Sequence, residues 1–301
     1  MVSLSTSAFY DRSLGQMNAL RVQAEDLNRQ IISQERLSRS SDDPVAAARL
    51  RTLNRGERLA QIDQSNSDTA QTDLKLADSA LGSIATAILQ AQELAVRAGG
   101  TLSAEQRAAV GQEIAGLRET LLNLANARSS GGHALFGGQT TGDAYSDTGT
   151  GATYIGTGSV DPAHLGEGQT VLPGFTGPEV FSIDVNGTTT DLFTVLGNLA
   201  AALQGGGDTS AATQDALAGL ESGLTKVSTA QTMTGARLNW IELMDNRRET
   251  TGELVAEEKA AVGGADIAST MVRLQEAMTV LEASQASFVQ LSNLSLFNIL
   301  R

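Results

Sequence analysis

The chain has 301 residues, long enough for more than one domain and a sizeable core. Its formal net charge of -13, with 21 Lys and Arg scattered along the chain, argues against phosphate neutralisation and hence against nucleic acid. The absence of cysteine excludes disulfides, thiolate metal sites and Cys nucleophiles, and an aromatic content of 4% suits long packed helices better than a compact enzyme.

Met1 to Asp11 reads as a short polar lead into a helix rather than a basic-then-apolar leader, so a cleaved signal peptide is not expected. The first helix is predicted from about Ser5 to Leu37. Its stripe, from Tyr10 through Ser13, Met17, Leu20, Ala24, Leu27 and Ile31, advances in alternating three- and four-residue steps and calls for a helical partner. The polar stretch Ser38 to Asp43 interrupts it, and Asp43 followed by Pro44 is the pattern of a helix cap and first helical position. The second helix carries Leu74, Ala77, Leu81, Ile84, Ile88, Ala91 and Ala95 on one stripe and stops at Gly99 and Gly100. Ser103 and Gln106 form a capping box for a third helix with Val110, Ile114, Leu117, Leu121 and Leu124, bounded by Gly131 and Gly132.

The texture then changes to about Gly207, with more than half of the 31 glycines and three of the four prolines. Phe181, Ile183 and Val185 alternate as a strand into Asn186-Gly187, a tight hairpin turn, and another strand is expected over Ala152 to Thr157. An amphipathic helix through Leu192, Val195, Leu196, Leu199 and Leu203 closes this region at Gly205 to Gly207. Helical periodicity resumes from about Thr209 to Val262. Past the Gly263-Gly264 break comes the terminal helix, with the stripe Ile267, Met271, Leu274, Met278, Leu281, Gln285 and Phe288. From Ala283 to Leu300 this segment has no charge, yet Ser, Gln and Asn occupy nearly half of it. A bilayer would reject those polar groups, whereas a crowded protein assembly can hydrogen-bond them.

The fold expected is mainly α: an elongated antiparallel helical bundle or coiled coil formed by the two ends of the chain, with a small β-rich domain inserted. The expected parts are 1-42 with 264-301 as a terminal assembly domain, 43-139 with 207-263 as a long-helix bundle, and 140-206 as the insertion. No catalytic, cofactor or metal site is expected, since His133 and His164 lie in Gly-rich loops without a ligand partner at suitable spacing. Gly149-Thr150-Gly151 and Gly156-Thr157-Gly158 complete no phosphate-binding motif. Trp240 is expected to pack against a neighbouring helix.

The strings SDDPVAAARL (Ser41 to Leu50), LQAQELAVRAG (Leu89 to Gly99), LANARSSGGHALFGGQTT (Leu124 to Thr141) and LSNLSLFNIL (Leu291 to Leu300) resemble the bacterial flagellin superfamily. Pro44 after the Asp pair, Ala134 to Gly138 after the third helix and Leu296-Phe297-Asn298 resemble its hook-filament junction branch more than the filament subunits, the alternative within the superfamily. The resemblance implies a structural axial protein, exported through the flagellar type III apparatus to the extracellular flagellum. It implies polymerisation in a helical homo-oligomer beside a hook-side junction protein and flagellin, and an export chaperone on the C-terminal helix, with no nucleic acid and no membrane insertion. Gln90 stands where many flagellins place an arginine read by innate immunity, so that recognition is not carried over. The expected assembly residues are Tyr10, Met17, Leu20, Leu27, Ile31, Ile267, Met271, Leu274, Met278, Leu281, Phe288, Leu296 and Phe297. A glycan- or host-binding role for the insertion is the weaker alternative, because sugar stacking needs exposed aromatics.

Overall fold

The computed structural model describes residues 3–206 and 209–299, and the side chains of these apart from 3–7, 9 and 291–299. Among the described residues seven helices and three small hairpins follow one another: α1 Ser3–Ser33, α2 Pro44–Ala98, α3 Ala104–Ala125, β1 Tyr145–Asp147, β2 Ala152–Tyr154, β3 Ala163–Gly166, β4 Gln169–Val171, α4 Gly177–Phe181, β5 Ser182–Val185, β6 Thr188–Asp191, α5 Leu192–Gln204, α6 Ser210–Gly263 and α7 Ile267–Ile299. The mainly helical class with a small β-containing middle is as expected. The chain divides into two compact units, Met1–Arg58 with Thr250–Arg301 and Leu59–Glu249.

Local signals set most helix ends. Pro44 opens α2, with the Asp43 carboxylate accepting from the Ala46 N–H at 3.0 Å. Ser103 and Gln106 close the reciprocal capping box at the start of α3. α1 stops at Ser33, four residues before the expected Leu37, because Gln34 takes φ 59 and Glu35 leaves the helix to pair with Gly264.

The second unit has one large core. Leu74, Ala77, Leu81, Ile84, Ile88, Ala91 and Ala95 of α2 are all fully buried, as their spacing requires. From Ala80 onward α2 shares a cluster with Val110, Ile114 and Leu121 of α3, Leu192, Phe193, Leu196 and Leu199 at and within α5, and Leu220 and Val227 of α6. The hairpins are not separate from it. Phe181 lies against the rings of Phe136, Tyr145 and Phe193 with centroids 5.6, 5.4 and 5.1 Å away, and all four are buried. A Cβ on Gly197 would sit 1.8 Å from the Thr150 carbonyl oxygen, so α5 approaches the β1–β2 turn at a distance only glycine permits. The buried Arg118 of α3 donates to Asp147 and to the Gly151 carbonyl, tying that hairpin to the helix. β3–β4, a hairpin without a sequence signal, covers a smaller cluster of Leu74, Leu165, Val171, Ile241 and Met244. Arg248 pins it by donating to Leu165 O at 2.7 Å and to Gln64 and Ser67 of α2.

Some details depart from expectation. Phe181 ends the one-turn helix α4, which Thr176 and Glu179 cap, and the strand starts at Ser182. β2 stops at Tyr154 rather than Thr157. Trp240 is 37% exposed, on a face of α6 that no neighbouring helix covers fully. Asn186 and Gly187 adopt φ 52 and 81, as the two-residue turn between β5 and β6 demands.

Because 140–206 shares its core with α2, α3 and α6, its standing as a separate part is open to a direct test. Deleting Asp143 to Gly206 with a short linker is expected to lower the helix content of the remainder, read by circular dichroism. Phe181→Ala should destabilise the second unit by about 3–5 kcal/mol, measured by urea unfolding.

Candidate functional site

In the first unit α1 and α7 pair antiparallel. Positions 10, 13, 17, 20, 24, 27 and 31 of α1 are shielded, with Gln30 beside them, matching the stripe read from sequence. Ala24 and Leu27 are buried against Ala277, with Leu274 beside them, and the rings of Tyr10 and Phe288 meet edge to face with centroids 5.2 Å apart. Tyr10, Met17, Leu20, Leu27, Ile31, Leu274, Leu281 and Phe288 therefore share one seam.

Three expected residues do not. Ile267, Met271 and Met278 are 40%, 59% and 48% exposed. The covered face of α7 instead runs through Thr270, Leu274, Ala277, Leu281, Ser284 and Phe288. The two stripes share Leu274, Leu281 and Phe288 and diverge between them. At the intervening positions the close approach of α1 selects the smaller Thr270, Ala277 and Ser284, leaving the larger apolar residues on the adjoining flank. The signal was present, since those small residues alternate with Leu274, Leu281 and Phe288 at four- and three-residue steps, but side-chain size pointed to the other register. The expected interface residues Leu296 and Phe297 lie outside the described side chains.

The connectors between these helices and the rest of the unit are densely bonded. Asp42 accepts from the Ser38 and Arg39 amides and the Ser38 hydroxyl. Asp43 accepts from Arg36 as well as from Ala46. These bonds hold both carboxyls below the usual carboxylate range, the backbone N–H of Arg39 contributing most for Asp42 and that of Ala46 for Asp43. Arg49 of α2 makes a two-pronged pair with Glu258 of α6 at 2.5 and 2.9 Å, and Lys259 reaches Glu57 at 2.7 Å.

His133 and His164 line a cavity of about 500 Å³ with Asp73 and Asp161 in the second unit. His133 bonds Ser129 through Nδ1 at 2.8 Å and faces the buried Asp73 at 3.6 Å. Among the described residues no group of three or more His, Asp or Glu side chains is placed to hold a metal, and no helix is long and apolar enough to cross a membrane.

Comparison with known proteins bears on the helices directly. Residues 5–141 match the model of the bacterial flagellin N-terminal helical region. The chain is 28% identical over 323 residues to flagellar hook-associated protein 3 of Salmonella typhimurium, covering 99% of both chains. The fold of this chain is similar to that of FlgL from Xanthomonas campestris, with TM-score 0.62 and 16% identity over 69% of this chain and 99% of that one. The flagellar junction protein FlgL of Legionella pneumophila gives TM-score 0.58 and 16% identity over 71% and 99%. The resemblance to the flagellin superfamily, and within it to hook-associated protein 3, is thus borne out.

A pH dependence follows from the connector. Carboxylates with lowered folded-state values stabilise in full above the ordinary value of 3.8, and the contribution disappears as the pH falls through the lowered ones. The amide resonances of Ser38, Arg39 and Ala46 are expected to stay constant from neutral pH to about 4 and to move together below it, measured by NMR titration.

Proposed function

We propose that this chain is a structural axial protein of the bacterial flagellum that polymerises as the adaptor between hook and filament, without catalytic activity. The observation that carries this reading is the similarity to hook-associated protein 3 over 99% of both chains, which takes in the two terminal helices as well as the second unit. The filament-subunit alternative is disfavoured by the same match and by Pro44 and the Ala134 to Gly138 string.

The geometry supplies a physical reason for assembly through the ends. Isolated amphipathic helices are marginal in water until their apolar face is covered. The α1–α7 seam covers one face of each helix and leaves Leu14, Val22 and Ile32 of α1 and Ile267, Met271, Met278 and Val289 of α7 in solvent. Copies of the same chain in a helical array are the partners proposed to cover that flank, with the hook-side junction protein and flagellin on either side. An export chaperone would shield the C-terminal helix beforehand, and export would use the flagellar type III apparatus. In this reading residues 3–42 and 264–299 gain order on polymerisation, which links folding to assembly.

The test changes Leu281→Glu and Phe288→Glu together. Both residues lie on the seam, and an ion placed there has a desolvation cost on the order of several kcal/mol when no partner is found. The second unit keeps its own core, so its near-UV signal should persist. Cells carrying the double variant are expected to build hooks, release the variant and flagellin into the medium, and fail to swim. Export of the variant with normal swimming would overturn the assignment of the seam to assembly.

A further inference from the structure

Within the second unit, α2, the loop after α3 and the start of the β3–β4 hairpin enclose the cavity of about 500 Å³, on which the proposed assembly role makes no call. Its walls are held by bonds of their own. The Gln139 N–H donates to Thr157 Oγ1 at 2.6 Å and the Gln139 side-chain amide to the Asp161 carboxylate, joining the two loop segments. Asn66 Nδ2 of α2 donates to His164 O at 3.2 Å, and Arg248 holds the adjoining Leu165 O at 2.7 Å. The cavity is thus preformed rather than a gap between loose segments.

Asp73 is the residue that calls for a ligand. Its side chain is 4% exposed and lines the cavity. The donors that face its carboxylate, Ser130 Oγ at 3.5 Å and His133 Nε2 at 3.6 Å, both stand beyond the length of a formed hydrogen bond. His133 is held back at that distance because Ser129 Oγ bonds its Nδ1 at 2.8 Å. A buried carboxylate short of donors is costly, and a cation that carries its own hydrogens removes the shortfall.

The remaining lining narrows the class of that cation. The exposed Asp161 adds a second carboxylate, and no Lys or Arg lines the cavity, so an anion finds no counter-charge. Phe, Tyr and Trp are absent from the lining, which removes the stacking surface a neutral sugar would use. Among the described residues no three His, Asp or Glu side chains are placed to hold a metal, and the volume is that of a small organic molecule rather than a single ion. We propose that this cavity binds a small organic ammonium compound, its cationic head seated on Asp73 beside Ser130 and His133 and its other end directed towards Asp161. An ammonium group offers three donors, of which Asp73 takes at least one, and Asn66, with its Nδ2 committed to His164 O, keeps its amide oxygen as a further acceptor. The site lies wholly in the second unit and does not depend on polymerisation of the chain ends.

The test is calorimetric titration of the full-length chain with putrescine, and with butanediol as its uncharged counterpart, at about pH 8, where histidine is ordinarily neutral. Putrescine is expected to bind at least about tenfold more tightly than the diol, and Asp73→Asn to weaken it at least about tenfold. Thr69→Phe, which fills part of the cavity from an exposed position on α2, should weaken it to a similar degree, so the result stands even if Asp73→Asn disturbs the core. In NMR spectra the amides of residues 138–141 and 160–164 should shift together as putrescine is added. Nα-acetyl-lysine methylamide, standing for a lysine of another chain, should bind at least about threefold more weakly, because it lacks the second ammonium group that Asp161 attracts. Tighter binding of the lysine analogue than of putrescine would overturn the small-molecule assignment. So would equal binding of the diol, unchanged binding in both variants, displacement by equimolar potassium chloride, or no heat up to about 10 mM putrescine, each of which leaves Asp73 to water.

Discussion

The antiparallel meeting of the two chain ends is the constraint on which the first unit depends. Every helix in it has its structural partner on the opposite end of the sequence: α1 against α7, and the start of α2 against the end of α6 through Arg49 and Glu258. Among the described residues the buried positions of α1 pack against α7, at the other end of the sequence. The unit's stability is therefore conditional on long-range closure, and the bonds available for that closure are modest. The ion pairs at Arg49 and Lys259 are solvent-exposed, where water screens such pairs and leaves them a small contribution. Among the described residues the seam fully buries little more than Ala24, Leu27, Thr270 and Ala277.

The second unit is built on the opposite principle. Its core is contiguous from Ala80 of α2 to Ala230 of α6 and includes four interlocked aromatic rings. Arg118 is anchored in it through Nη2 by Asp147 and Gly151 O, and beside the smaller cluster Arg248 is held by four acceptors. Such a difference in buried contacts within one molecule produces regions that open at very different free energies, with the thin seam at the low end. The second unit can therefore keep its fold while the seam of the first opens.

What the sequence made legible follows the same division. Strong helical periodicity located the helices of both units, and caps at Asp43, Ser103 and Pro44 marked helix starts because their side-chain and φ requirements are local. Asn186-Gly187 marked its turn for the same reason. The β3–β4 hairpin was illegible, since its strands are four and three residues long and its stability comes from Leu74, Ile241 and Met244, distant in sequence. The register of α7 was half legible: Leu274, Leu281 and Phe288 belong to both candidate stripes, and the choice between Ala277 and Met278 depends on how closely α1 approaches. Periodicity gives a helix face to within one position, and packing distance decides the remainder.

That ambiguity has a functional meaning. A helix with one apolar stripe is satisfied by one partner, whereas α7 carries two overlapping stripes. The narrower one, of small residues, admits α1 at short range. The broader one, with Ile267, Met271 and Met278, stays uncovered in the single chain. Between Ala283 and Leu300 the sequence places no charge on either stripe, so the approach of another helix meets no buried-ion cost there. A second apolar face of moderate size, beside the one that α1 occupies, leaves α7 room for a further helix without displacing α1.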